Sequence, residues 1–361
     1  MFGRIPFARM STCACTTLSL LVLAAPVAAQ QRADSGVFIV KLGRDTLTVE
    51  RYVRSGATLE GTVVTRSPRT GVARYTFTLA PDGTVRAYGA AREPDTVQVR
   101  PVAVPGTIPV PGSSYTPYQL ALQHARAAGA DSTTVTLLAN NNSIPIQVRR
   151  ISPTSYRLPN QFDVEMNATV DSLARIVRVD VAGGTTVERV AWLDIDALAR
   201  EFRARDEAGR GLGALSPRDT THATVKGAHI LVDYSRPSLR GRELSVLAPE
   251  GQVWRTGANA ATHFSTDREL RIGNVTVPAG TYSLFTLPSS GEWKLILNRQ
   301  TDQGGLDYDQ AQDLGRFDMA MRRDAPHTEQ LTIDVEETAQ GGAVHIRFGR
   351  LTGTVPFSVG G

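Results

Sequence analysis

Leu331-Thr332-Ile333-Asp334-Val335-Glu336 and, beyond Gln340-Gly341-Gly342, Val344-His345-Ile346-Arg347-Phe348 are the stretches that decide the fold. Apolar and polar residues alternate through both runs. A period of two is that of a strand with one buried and one wet face, and two such runs across a tight turn predict an antiparallel hairpin. Hairpins with one wet face stack into a sandwich, so the region around them, residues 221–361, reads as an antiparallel β-sandwich. His345 falls on the wet face and needs no functional account.

The same pattern recurs toward the amino terminus. Leu47, Val49 and Val53 alternate with Thr48, Glu50 and Tyr52, and Tyr75, Phe77 and Leu79 alternate with Thr76 and Thr78 ahead of the turn Pro81-Asp82-Gly83. The proline-rich stretch from Val104 to Pro117 reads as a loop or semi-rigid linker. A short helix is predicted next, with Thr116 as its cap, Pro117 in its first turn and Gly129 at its end; His124 on it is a surface or packing residue. Strands resume from Thr133 to Val190, with Ala182-Gly183-Gly184-Thr185 as a hairpin connection. In the helix predicted from Ile195 to Ala208, Ile195, Leu198, Ala199 and Phe202 form one apolar stripe, Asp194 caps the start, and Gly209, Gly211 and Gly213 end it. The fold class is mainly β: an N-terminal antiparallel β-meander or half-barrel with an inserted helix (30–193), a linker helix with a glycine-rich boundary (194–220), and the C-terminal sandwich (221–361). A half-open barrel of the lipoprotein-carrier kind has the same order of elements as the first part.

The first 29 residues read as a signal peptide. Arg4 and Arg9 precede an apolar run from Leu18 to Val27, and Val27-Ala28-Ala29 sets small residues before a cleavage point at Gln30. No later run reaches the roughly 18 apolar residues of a membrane-spanning helix, so the mature chain is expected to be periplasmic or secreted without a transmembrane segment. Cys13 and Cys15 both fall inside the signal. The mature chain is therefore expected to lack disulfides and thiolate metal ligands.

Charge excludes one partner class. The chain has 39 Lys+Arg against 35 Asp+Glu, and loss of Arg4 and Arg9 leaves 37 against 35. Lysine occurs only at 41, 226 and 294. No basic run is interleaved with aromatics, so nucleic acid is not an expected partner.

Four ordered motifs carry a resemblance. They are Val232-Asp233-Tyr234-Ser235-Arg236-Pro237 with Arg240-Gly241-Arg242; Val253-Trp254-Arg255-Thr256-Gly257-Ala258-Asn259 with Ala261-Thr262; Pro278-Ala279-Gly280-Thr281-Tyr282-Ser283-Leu284; and Asp313-Leu314-Gly315-Arg316. Residues 221–361 thereby resemble an uncharacterised bacterial family, DUF2911. The resemblance implies an exported β-domain and no known activity. It departs at Gln303-Gly304-Gly305, where the family pattern has Gln-Trp-Gly.

No nucleophile elbow, phosphate-binding loop or His-Glu-x-x-His is present. Gly209, Gly211 and Gly213 follow a helix and so do not make a dinucleotide loop. His222 and His229, seven apart, have no recurrent ligand spacing. His229 and Asp233 share a strand face about 13 Å apart, too far to ligate one ion directly. A site built from His229, Asp233 and His263, with His327 available, would have to be assembled by folding. The better candidates are the arginines of the family-like motifs. Arg236, Arg242 and Arg255, with Tyr234, Trp254, Asn259 and Thr262, offer guanidinium forks, an aromatic wall and orienting hydrogen bonds for a carboxylate, phosphate or sulfate. Gly257 would let a ligand approach the backbone. Against this, arginines of such motifs can instead tie loops to carboxylates such as Asp233, Glu243 or Asp267.

The expected function is a non-catalytic envelope module for a small anionic or sugar-like ligand, or a protein partner, with no cofactor and no metal. The alternatives are a hydrolase with a His/Asp site and a lipid carrier using the N-terminal region.

Overall fold

The computed structural model describes residues 34–360. The segment expected to be a signal peptide, residues 1–29 with both cysteines, lies outside the described residues. Among those described, no helix is long and apolar enough to cross a membrane.

The N-terminal lobe is one sheet of thirteen strands. The chain meanders outward from Asp34–Leu42 to Arg100–Pro101, then runs back from Thr107–Pro109 to Thr185–Val190, whose last strand pairs with the first. All neighbours are antiparallel except Thr107–Pro109 and Ser132–Ala139, and the sheet does not close into a barrel. The expected linker after Val104 is thus partly strand, and Thr107 to Pro111 are buried. Prolines there fix the backbone at a sheet edge, where a missing N–H costs nothing.

Period-two alternation gives this sheet two cores. On one face, Phe38, Val40, Tyr52, Phe77 and Leu137 pack with helix α1, Thr116–Ala128. Eight of its thirteen residues are buried. It is touched by strands from both halves of the sheet, which therefore curls around it. On the other face, Val37, Val49, Val64 and Val72 meet Ile195, Ala199 and Phe202 of helix α2, Ile195–Glu207. Asp194 caps α2 through the Ala197 N–H at 2.9 Å, as its sequence predicts.

The cap of α1 is not Thr116. Tyr115 occupies the cap position and offers no side-chain bond. The partner comes from Glu50, in the middle of strand Asp45–Ser55. Its carboxylate accepts from the backbone N–H of Tyr115, that of Thr116 at 3.3 Å, and the Tyr75 hydroxyl at 2.5 Å. Glu50 is fully buried, and desolvation holds its pKa above the ordinary carboxylate value. Gly61 makes room for this network: a Cβ there would lie 2.0 Å from the Tyr75 ring.

The C-terminal lobe is an antiparallel sandwich of two six-stranded sheets. One holds, in spatial order, Arg218–Val225, Ala228–Ser235, Thr262–Thr266, Gly280–Leu287, Lys294–Asn298 and Asp313–Asp318. The other includes Thr328–Thr338, Gly341–Gly349 and Leu351–Val359. Leu331, Ile333, Val344, Ile346 and Phe348 all enter the shared core, as their alternation requires. The lobes meet through the loop after Ser235. Arg240 pairs with Asp45 at 2.7 Å, and the Arg44 N–H donates to the Arg240 carbonyl at 2.9 Å.

Candidate functional site

The register of the first C-terminal sheet aligns a polar row that no local pattern announces. Thr220, Asp233, His263, Ser283, Asn298 and Asp313 each stand opposite the next on six adjacent strands. They occupy the face turned away from the sandwich core, since Val232, Phe264, Leu284 and Leu297, one position on, enter that core.

Residues 299–312 form a roof over much of this row. Gln303 donates to the Ser283 hydroxyl at 3.1 Å, and the Thr301 carbonyl faces His263 Nε2 at 3.1 Å. Asn298 donates to the Asp309 carbonyl at 2.8 Å and to Asp313 at 2.9 Å. Tyr308 packs edge-on against Phe285 and donates to Asp313 at 2.7 Å. Burial and the Asp313 carboxylate push its phenol up to about 12, so it stays a donor. Arg316 closes the cluster on Asp313 at 2.8 Å. Ser283 is fully buried, and it and His263 each have another hydrogen-bond partner. A proton relay between them is therefore not assembled.

The seven residues singled out in the sequence do not converge on one point. Arg236 has all three donor positions engaged: Leu331 O at 2.9 Å, Asp219 at 2.8 Å and Thr332 Oγ1 at 2.9 Å. It ties the two sheets together. Arg242 donates to three carbonyls, those of Leu239, Ser238 and Gly183, at 2.9, 2.7 and 2.6 Å. The last lies in the N-terminal lobe, so Arg242 holds the lobe junction. Tyr234 is buried and its hydroxyl accepts from the Ile333 N–H at 3.0 Å, while Trp254 stacks on Phe348 in the core with centroids 6.1 Å apart. Thr262, fully buried, donates to the Thr256 carbonyl at 2.9 Å. Gly257 serves packing: a Cβ there would meet Thr262 Oγ1 at 2.9 Å and Ser235 O at 3.1 Å.

Arg255 behaves differently. Its Nε is buried and bonds to nothing among the described residues. Burial alone lowers its pKa, with no charged neighbour contributing. The loop that presents it is strained: Thr256 has φ 49° and Asn259 has φ 61°. A β-branched residue in the left-handed region is costly, and Thr256 is held there by hydrogen bonds to Trp254 O and Thr286 Oγ1. The roof reaches Arg255 at Gly305, where a Cβ would lie 2.8 Å from Arg255 Cδ and 2.3 Å from Asn259 O. Gln303, two residues earlier, has its own orphan, a buried Oε1 with no partner among the described residues. Sequence reading missed Gln303 as a site residue; the only signal was the departure from the family pattern at Gln303-Gly304-Gly305.

His229, Asp233 and His263 do not form one group. Asp233 faces His263 across strands but pairs with Arg218 at 2.7 Å, and His229 pairs with Asp267 at 2.7 Å. Among the described residues no three His, Cys, Asp or Glu side chains converge as metal ligands.

Residues 216–357 match the family model described as Protein of unknown function (DUF2911). Arg236, Arg242, Arg255 and the polar row from Thr220 to Asp313 all lie within the matched segment. No protein of curated function matches the chain. A solved structure, that of a DUF1089 family protein from Pseudomonas aeruginosa, is 13% identical with a TM-score of 0.32, covering 39% of this chain and 91% of that one. A likeness at that level transfers neither fold nor function.

Proposed function

We propose that this is an exported, non-catalytic module whose C-terminal sandwich binds a small anionic or sugar-like ligand at Arg255. The observation behind the reading is the contrast among three arginines: two have their donors engaged, and Arg255 has a buried Nε without a partner. A buried donor left unmade costs about 1–3 kcal/mol, a cost that a ligand acceptor meeting it would recover. The orphan acceptor Gln303 Oε1 sits in the adjoining roof. A ligand that satisfies both presents an acceptor to Arg255 and a donor to Gln303, as a carboxylate beside a hydroxyl does. Hydroxy acids and sugar acids have that arrangement. Asn259, exposed at the loop edge, is the side chain this reading assigns to orienting such a group.

The test is thermal unfolding of the mature chain against a panel of hydroxy acids, uronic acids, sugar phosphates, phosphate and sulfate. A true ligand at one hundred times its Kd stabilises by about 2.7 kcal/mol, a shift of several degrees. Arg255→Ala is expected to abolish that shift. A panel that moves nothing, or moves Arg255→Ala as much as wild type, overturns the reading.

A second reading, carriage of an amphipathic ligand by the N-terminal lobe, rests on an open groove of about 670 Å³ at the unclosed side of the thirteen-stranded sheet, where Val63, Tyr88, Val110 and Leu138 line it alongside Arg69, Arg92 and Glu93. Organic extraction of the purified protein followed by mass spectrometry tests it; lipid-free protein that takes up no added acyl chain rejects it.

A further inference from the structure

The hairpin made by Arg218–Val225 and Ala228–Ser235 brings two histidines to one exposed face. Its register sets Thr224 opposite His229 and His222 opposite Leu231. His222 and His229 are therefore diagonal neighbours on the same side of the sheet, with Cα atoms about 7–8 Å apart and within reach of long side chains. Seven residues of separation conceal this in the sequence, because the turn at Lys226-Gly227 folds them back on each other. Both histidines line one open groove of about 310 Å³ on the outer face, with Leu231, Ser265, Asp267 and Thr281.

One of the two rings is already aimed. Asp267 accepts from the His229 backbone N–H through Oδ1 at 2.7 Å and faces His229 Nδ1 with Oδ2 at 2.7 Å. In a neutral ring, a carboxylate at that distance selects the tautomer with the proton on Nδ1, which leaves the Nε2 lone pair pointing away from Asp267. The His229 side chain is 73% exposed, so that lone pair meets solvent. A carboxylate behind the far nitrogen of an imidazole is the arrangement that orients metal-ligating histidines and raises their basicity.

We propose that His222 and His229 together form a binding site for a divalent transition-metal ion, with Asp267 as the positioning residue behind His229. Two neutral imidazoles suit Cu²⁺, Ni²⁺ and Zn²⁺, and for such a donor set Cu²⁺ is held most tightly. With two protein ligands the ion keeps water in its remaining positions, so the site is exchangeable and open to a further ligand. No third protein donor is invoked, in keeping with the absence of a three-residue cluster among the described residues.

The probe is Cu²⁺ with the mature chain, free of any affinity tag, read by calorimetry and by electron paramagnetic resonance. The expected result is one ion bound in the micromolar range, with hyperfine coupling to two nitrogens. His222→Ala and His229→Ala are each expected to weaken binding at least tenfold and to leave one-nitrogen coupling. Both residues are exposed, so the unfolding midpoint should hold. Asp267→Asn is expected to weaken binding about tenfold, with two-nitrogen coupling kept. His124→Ala and His327→Ala are expected to change nothing. Binding that survives in the His222→Ala, His229→Ala double variant overturns the proposal, as does wild-type protein that shows no two-nitrogen signal.

Discussion

Each lobe withdraws an ionisable group wholly or partly from solvent beside a strained or capped piece of backbone, and the two groups are treated in opposite ways. Glu50, in the N-terminal lobe, sits at the start of α1 with the Tyr115 and Thr116 N–H groups and the Tyr75 hydroxyl all donating to it. Arg255, in the C-terminal lobe, lies beneath a glycine-containing roof with its Nε donating to nothing among the described residues. Full engagement of a buried charge makes it part of the fold, because removing it strands every partner. Incomplete engagement leaves a group whose removal strands few partners within the protein. Arg236, whose donors reach Asp219, Leu331 and Thr332, stands with Glu50 although it belongs to the same lobe as Arg255.

That contrast can be broken most directly at Glu50. Glu50→Ala leaves three donors without an acceptor in a dry interior, and the expected cost is about 3–5 kcal/mol on the denaturant unfolding of the N-terminal lobe. A loss below about 1 kcal/mol would mean that α1 does not depend on this distant cap. Arg236→Ala comes next, at about 2 kcal/mol on the denaturant unfolding of the C-terminal lobe, since it exposes a carbonyl and an aspartate to imperfect solvation. An Arg236→Ala protein as stable as wild type would erase the distinction drawn between it and Arg255.

A pH titration sharpens the comparison from the side of Glu50. Burial raises its folded pKa above that of the unfolded chain. The stability linked to its protonated form is present below the unfolded carboxylate value and is lost as pH rises through the higher folded value. Glu50→Gln has no such proton to lose. Its melting temperature relative to wild type should therefore climb as pH increases from about 4 upward, and a flat difference across that window would contradict the direction. The smallest effect belongs to Arg255→Ala, expected within about 0.5 kcal/mol of wild type in ligand-free protein. A cost of about 2 kcal/mol or more there would make Arg255 a structural residue like Arg236.

Much of the architecture was legible without coordinates, and much of the site was not. Strands such as Leu331–Glu336 and Val344–Phe348, the stripe on α2 and its Asp194 cap follow from burial and hydrogen bonding within a few residues of chain. Arg255 and Asn259 were visible as candidates because residue type is itself a chemical statement. Their separation from Arg236 and Arg242 was invisible, because all three arginines present the same fork and differ only in what meets it. Gln303 gave almost no sign, being one amide in an irregular loop.

Residue pattern was enough to show that the described chain is β-rich, where its two thirteen-residue helices lie, and which face of many strands is apolar. Those features rest on periodicities of two and 3.6, which local chain geometry imposes on any sequence that must hide one side. Only the folded chain reveals that Glu50 caps a helix sixty-six residues away, that Asp233, His263, Ser283, Asn298 and Asp313 stand in one row, and that His222 and His229 are diagonal neighbours across a hairpin. Apolar burial is non-directional and tolerates many partners, so pattern suffices to predict it. A hydrogen bond or a metal ligand needs a particular atom within about 3 Å, and only the register of strands distant in sequence supplies that atom.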